Sequence, residues 1–134
     1  MLGVEPILHL SLPVRDLDES VDFYKNVLGC DVGRVRERFV DVWFFGMQVT
    51  LHAQPDQVLS AEQRGVHHFG VTVDADNLRR LVERAEAHDV VFLCALSTDY
   101  PGTPREQTKA KILDPSGNAI ELKTYVDPEA AFFG

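Results

Sequence analysis

Three residues in this sequence have the side chains and the setting to hold a divalent metal ion: His9, His68 and Glu121. Two imidazoles and one carboxylate form the facial triad of non-haem ferrous sites, which leaves coordination positions open for other ligands. His9 lies in Ile7-Leu8-His9-Leu10-Ser11-Leu12, where alternation sets His9 and Ser11 on one strand face and the leucines on the other. Glu121 lies in the apolar run Ala119-Ile120-Glu121-Leu122-Lys123, where a carboxylate needs a compensating charge or several hydrogen bonds. Each residue alone fits a partly buried group bonded to a neighbour; the combination points to a metal. Ferrous iron is the first candidate, and manganese, zinc or nickel could occupy the same set. His52, on Gln48-Val49-Thr50-Leu51-His52, is an acid/base candidate, a fourth ligand or a satisfied histidine at a strand end. Of the other histidines, His88 sits where a helix should end, and His67 must point away from His68 if that segment is extended.

The elements that must position these residues repeat. His9-Leu-Ser-Leu-Pro-Val opens one half, and His68-Phe-Gly-Val-Thr-Val opens another 59 residues later. Asp16 and Asp18 can cap a helix carrying Leu17, Val21, Tyr24 and Leu28, which Gly29 stops. Asp74 or Asp76 can cap a second helix with the stripe Leu78, Leu81, Val82 and Ala85. Strand-like runs follow at Asp31–Arg36, Phe39–Phe45 and Gln48–Ala53, then at Val90–Ala95, Thr108–Leu113 and Ala119–Tyr125. Both halves read β-α-β-β-β: module one at about 5–54, a linker at about 55–65 with one short helical stretch, and module two at about 66–126. Leu96–Gln107 reads as a long ordered loop, and Asp114-Pro-Ser-Gly-Asn118 as a tight turn. The expected fold is α+β, two βαβββ modules forming an open, strongly curved mixed sheet around a central cavity, with His9 and His68 at matched positions.

The 134 residues make one ordinary domain. The net charge of −8, with Lys and Arg scattered, excludes a nucleic-acid or anionic-membrane partner. The nearest basic cluster, Arg34, Arg36 and Arg38, has the spacing of a strand's solvated outer face. Cys30 and Cys94 form no CxxC pair, which fits a reduced, cytoplasmic setting. The start MLGVEPILHL reads as neither a signal peptide nor a membrane span.

The ordered set His9-Leu-Ser-Leu-Pro-Val-Arg-Asp-Leu-Asp-Glu-Ser, Phe23-Tyr24, Leu28-Gly29, His68-Phe-Gly-Val-Thr-Val and Asp114-Pro-Ser-Gly-Asn-Ala-Ile-Glu-Leu-Lys resembles the vicinal oxygen chelate superfamily of glyoxalases, extradiol dioxygenases, fosfomycin-modifying enzymes and bleomycin-resistance proteins. Gly29-Cys30-Asp31-Val32-Gly33-Arg34, His52 and Gly102–Gln107 are similar to short proteins described as predicted extradiol-type dioxygenases. The resemblance implies metal ligands at His9, His68 and Glu121. Thr50 stands where glyoxalase I carries a glutamate ligand, and Lys111 where large extradiol enzymes carry a tyrosine.

The function expected first is an extradiol-type dioxygenase. A small catecholic or vicinal-oxygen substrate and O2 would share the metal, and His52 would move the proton. A non-redox lyase, isomerase or thiol transferase on the same platform is the alternative. A drug-binding protein walled by Trp43, Phe44, Phe45, Phe132 and Phe133 is the second. Lys111, Tyr100 and Arg105 are the expected substrate contacts, and a homodimer is the expected assembly.

Overall fold

In a computed structural model, residues 5–134 are described; Met1–Val4, part of the apolar start, lie outside the described residues. The chain divides into two compact units. One runs to Gln63 and takes in Pro115–Asn118, and the other holds Arg64–Asp114 and Ala119–Gly134.

The first unit has strand β1 (His9–Val14), helix α1 (Leu17–Asn26), strands β2 (Asp31–Val35), β3 (Phe39–Phe44) and β4 (Met47–Ala53) and a 3-10 turn at Pro55–Gln57, and the short helix α2 (Ala61–Arg64) spans its boundary with the second. Its strand order is β1-β4-β3-β2, with β1 parallel to β4 and the rest antiparallel. A parallel neighbour needs a crossover, which α1 and the β2–β3 hairpin supply. Asp16 caps α1 by accepting the Glu19 N–H at 2.9 Å, and Gly29, at φ 74°, turns the chain out of it. Helix α1 presents Ser20, Phe23 and Tyr24 to the sheet side that carries Val40, Val42, Phe44, Val49 and Leu51, all buried. Each large apolar side chain buried there contributes about 1.5–3 kcal/mol. The turn Pro115–Asn118 belongs to this unit: Ser116 Oγ accepts the Arg15 N–H at 2.9 Å, and Asn118 Nδ2 donates to the Pro13 carbonyl at 3.2 Å.

The second unit repeats the plan. It has β5 (Phe69–Thr72), α3 (Ala75–Ala87), β6 (Phe92–Asp99), β7 (Gln107–Leu113), β8 (Ala119–Tyr125) and a terminal helix α4 (Pro128–Phe133). The order is β5-β8-β7-β6, with β5 parallel to β8. Asp74 caps α3 through the Asn77 N–H at 2.8 Å. Leu78, Leu81, Val82 and Ala85 of α3 are buried, as are Ala110, Ile112, Ile120 and Leu122 of the sheet. The α+β class and both βαβββ modules thus stand as expected.

Two expectations are corrected. Leu96–Asp99 is not loop but the end of β6: Ser97, Thr98 and Asp99 pair with Lys109, Thr108 and Gln107, and the irregular stretch shrinks to 100–106. Arg34 is exposed like the rest of β2, but it does not share one outer face with Arg36 as the spacing suggested. A bulge between Val32 and Val35 sets an extra residue of β2 against β3, which breaks the alternation linking Arg34 to Arg36. The outer strand of the second sheet, β6, has register shifts as well, between Phe92 and Cys94 and between Cys94 and Ser97.

Candidate metal and substrate face

In each unit, one sheet face lies under a helix and the other carries the polar side chains. On the polar face of the second unit, Gly70, Glu121, Lys111 and Cys94 form one register row across four strands. Thr72, Lys123, Lys109 and Ser97 form the next row, followed by Tyr125, Gln107 and Asp99. His68 precedes β5 and lies two residues before Gly70, on the same face.

The structure brings His68 and Glu121 together, with His68 Nε2 3.9 Å from Glu121 Oε2. The other carboxylate oxygen, Oε1, takes Lys123 Nζ at 3.3 Å. His68 Nδ1 lies 2.7 Å from the Val66 carbonyl, which can only accept, so Nδ1 carries the proton. In neutral His68, Nε2 is therefore a bare lone pair aimed at a carboxylate, an arrangement that a cation between them satisfies. Imidazole and carboxylate are two of the donor types that divalent metals take. Among the described residues, no group of three or more His, Cys, Asp or Glu side chains stands close enough to hold one.

Gly70 makes this pair of strands close. A Cβ there would lie 2.1 Å from the Glu121 carbonyl oxygen and 2.9 Å from its carbonyl carbon. Lys111 has no ion-pair partner among the described residues, whereas Lys109 pairs with Asp99 at 2.9 Å. That bond holds the Lys109 ammonium above its ordinary pKa. Burial pushes Lys123 down, but hydrogen bonds and charges from Tyr125 and Glu121 outweigh it and leave its pKa raised.

Tyr100 and Arg105 line one cavity of about 230 Å³ with Gln107, Tyr125, Ala130, Ala131 and Gly134. Arg105 does not pair with Glu106, whose Oε1 accepts the Gly102 N–H at 2.7 Å. Phe132 packs on Tyr125 with ring centroids 5.0 Å apart, and both Phe132 and Phe133 stay exposed.

On the polar face of the first unit the rows are His9, Gln48, Trp43 and Asp31; then Ser11, Thr50 and Asp41; then Pro13, His52 and Phe39. Ser11 Oγ is 3.3 Å from both His9 Nε2 and His52 Nε2. A hydroxyl can donate to one imidazole and accept from the other, so it links the two. His52 also lines a cavity of about 250 Å³ with Ser11, Leu12, Pro13, Gln54 and Gln57. Phe44, expected as a cavity wall, is buried in the core. Trp43 and Phe45 do line a recess, with Leu28, Gly29, Cys30, Asp31 and Gly46.

The sequence reading missed Asp41. It is 1% exposed and accepts from Arg34 Nε at 2.5 Å, Thr50 Oγ1 at 2.7 Å and Gln48 Nε2 at 3.4 Å. Burial pushes its carboxyl up, but the bonds from Arg34 and Thr50 outweigh that and hold it below the usual range. Asp41 stands opposite Thr50 as Lys111 stands opposite Glu121. The two units thus carry their carboxylates on different strands of the repeat, β3 in one and β8 in the other.

A family model described as Glyoxalase/Bleomycin resistance protein/Dioxygenase superfamily matches residues 6–122. A glyoxalase/bleomycin resistance protein/dioxygenase structure from Alicyclobacillus acidocaldarius is 31% identical, with a TM-score of 0.82 over 96% of each chain. The metallothiol transferase FosB of Lysinibacillus sphaericus (strain C3-41) is 26% identical over 125 residues, 92% of this chain and 84% of that protein. The fosfomycin resistance protein FosX of Listeria monocytogenes shares the fold at 14% identity, with a TM-score of 0.75 over 94% of this chain and 98% of that one.

Proposed function

Because the chain belongs to the glyoxalase/bleomycin resistance protein/dioxygenase superfamily, we propose that it is a metal-dependent enzyme. It acts on a small anionic substrate with vicinal oxygens, in a transferase or lyase reaction without net redox change. The observation that carries this reading is His68 Nε2 standing 3.9 Å from Glu121 Oε2, with Lys111, which has no ion-pair partner among the described residues, opposite Glu121 on the neighbouring strand. His9, His68 and Glu121 would hold the ion, one per chain, in a homodimer. A divalent ion in this place supplies Lewis acidity to the substrate oxygens. Lys111 receives substrate negative charge on the row of Glu121. Lys123 restrains the Glu121 oxygen that faces away from His68. His52, joined to Ser11, takes or returns the substrate proton. The name of the FosB relative, a metallothiol transferase, favours group transfer over ring cleavage. So does a lysine in the place of the tyrosine found in large extradiol enzymes.

Titration of the protein with manganese, zinc and ferrous ions tests the site. One equivalent should bind, and Glu121→Ala should weaken binding at least 100-fold while circular dichroism stays unchanged. Equal binding by both proteins would refute the ligand set. An oxygen electrode run with catechols tests the ring-cleaving alternative, whose acid/base group would again be His52. Oxygen uptake dependent on the metal and His52 would replace the non-redox reading.

A further inference from the structure

Asp41 raises a question that the metal site does not answer. A carboxylate 1% exposed, on the interior strand β3, is costly unless it is compensated. Its main partner is not buried with it: the Arg34 side chain is 53% exposed. Arg34 engages Asp41 sideways, through Nε at 2.5 Å and Nη2 at 3.4 Å. The Nη1 hydrogens and the second Nη2 hydrogen, the end of the fork, are left facing outward. The guanidinium also lies 5.0 Å over the Phe39 ring, and Phe39 stands 6.1 Å from the His52 ring. Arg34 is therefore held on two sides, by a charge and by an aromatic face.

Trp43 stands on the same face, one register row from Asp41. Trp43 Nε1 has no hydrogen-bond partner among the described residues. It lies against Gly33, where a Cβ would come within 3.0 Å of it. The bulge and the missing side chain at Gly33 are what allow Arg34 and Trp43 to share this face.

We propose that Arg34 and Trp43 form an oxyanion site on the polar face of the first unit, which takes a carboxylate or phosphate-type group of the ligand. That the ligand is the substrate rests on the reading given under Proposed function; the site itself does not. A guanidinium already fixed by Asp41 and Phe39 loses little further freedom when an anion docks, and its free fork end matches two oxygens at once. A solvated arginine on a chain of net charge −8 would be neither clamped nor stacked.

Trp43 is the one tryptophan of the chain, so its fluorescence reports this face alone. Metal-free protein in EDTA is titrated with inorganic phosphate at constant ionic strength set by chloride, and the Arg34 Nε–H resonance is followed in parallel. Saturable changes in both signals are expected. Arg34→Gln should weaken phosphate binding at least 10-fold, and Arg34→Lys should weaken it while keeping Asp41 paired. Arg36→Gln, whose guanidinium bonds the Val35 carbonyl, should titrate like wild type. Changes that follow ionic strength alone, or that persist in Arg34→Lys with full affinity, would overturn the site. Because no metal is present, this result and that of the Glu121→Ala titration stand or fall separately.

Discussion

Gly70→Ala is the substitution that probes how closely the second sheet is drawn together at the proposed centre. Gly70 pairs with Glu121 across the parallel β5–β8 ladder, and an alanine Cβ would lie 2.1 Å from the Glu121 carbonyl oxygen. Ordinary contact begins near 3.4 Å, so the strands must part by more than 1 Å. The obstacle is backbone, which cannot swing aside as a flexible side chain would. Strand β8 is pinned between β5 and β7 and packs on α3, whereas β5 is the edge strand. The edge strand therefore moves, and His68 moves with it. Overpacking of this kind costs about 1–3 kcal/mol, and the backbone contact places Gly70→Ala near the upper end. For a chain of this length, that is a fall in Tm of roughly 10 °C. The 3.9 Å separation of His68 Nε2 from Glu121 Oε2 should widen by a similar distance, beyond the reach of one ion. Differential scanning calorimetry of metal-free protein reads the first effect, and manganese titration the second. A Gly70→Ala protein with wild-type Tm and wild-type metal affinity would refute both the tight β5–β8 approach and its role in setting the ligands.

Further outcomes are expected elsewhere. His52→Ala should retain metal but lose activity by about 10²–10⁴-fold, measured as kcat once a substrate is in hand, because the proton transfer loses its group. Asp41 has a folded pKa below its ordinary value of about 3.8, so its contribution is complete above that pH and is lost as pH falls through the folded value. Urea unfolding of wild type and Asp41→Asn should therefore differ at pH 7 and converge as pH falls below about 3.8; a constant gap would remove the charge from the explanation. Asp16→Ala should cost about 1 kcal/mol in the same assay through loss of the α1 cap.

Much of this architecture could be read from local signals. The repeat, the caps at Asp16 and Asp74, the stop at Gly29 and the stripe on α3 each depend on residues a few positions apart. The closeness of His68 and Glu121 follows from the parallel pairing that a βαβ crossover imposes. What escaped the reading depends on other strands. Leu96–Asp99 does not alternate cleanly and becomes strand only because Gln107–Lys109 pairs with it. Asp41, within Phe39–Phe44, resembles an ordinary solvent-facing strand residue. It is buried because Arg34 and Thr50 arrive from β2 and β4 to satisfy it. Arg34 reaches it only through a bulge, whose sole local mark is Gly33. Gly70 has no local reason to be glycine; the reason is the backbone of Glu121.

The same bulges govern how the protein resists clumping. An open sheet has two bare edges, and a bare, regular edge recruits strands from other molecules. The outer strands β2 and β6 both break register, and every residue of β2 is exposed. A foreign strand laid along either meets a kinked ladder with mismatched donors and acceptors. The opposite edges, β1 and β5, run in unbroken register with their neighbours. Edge-to-edge growth in a concentrated or heat-stressed solution is thereby discouraged at β2 and β6.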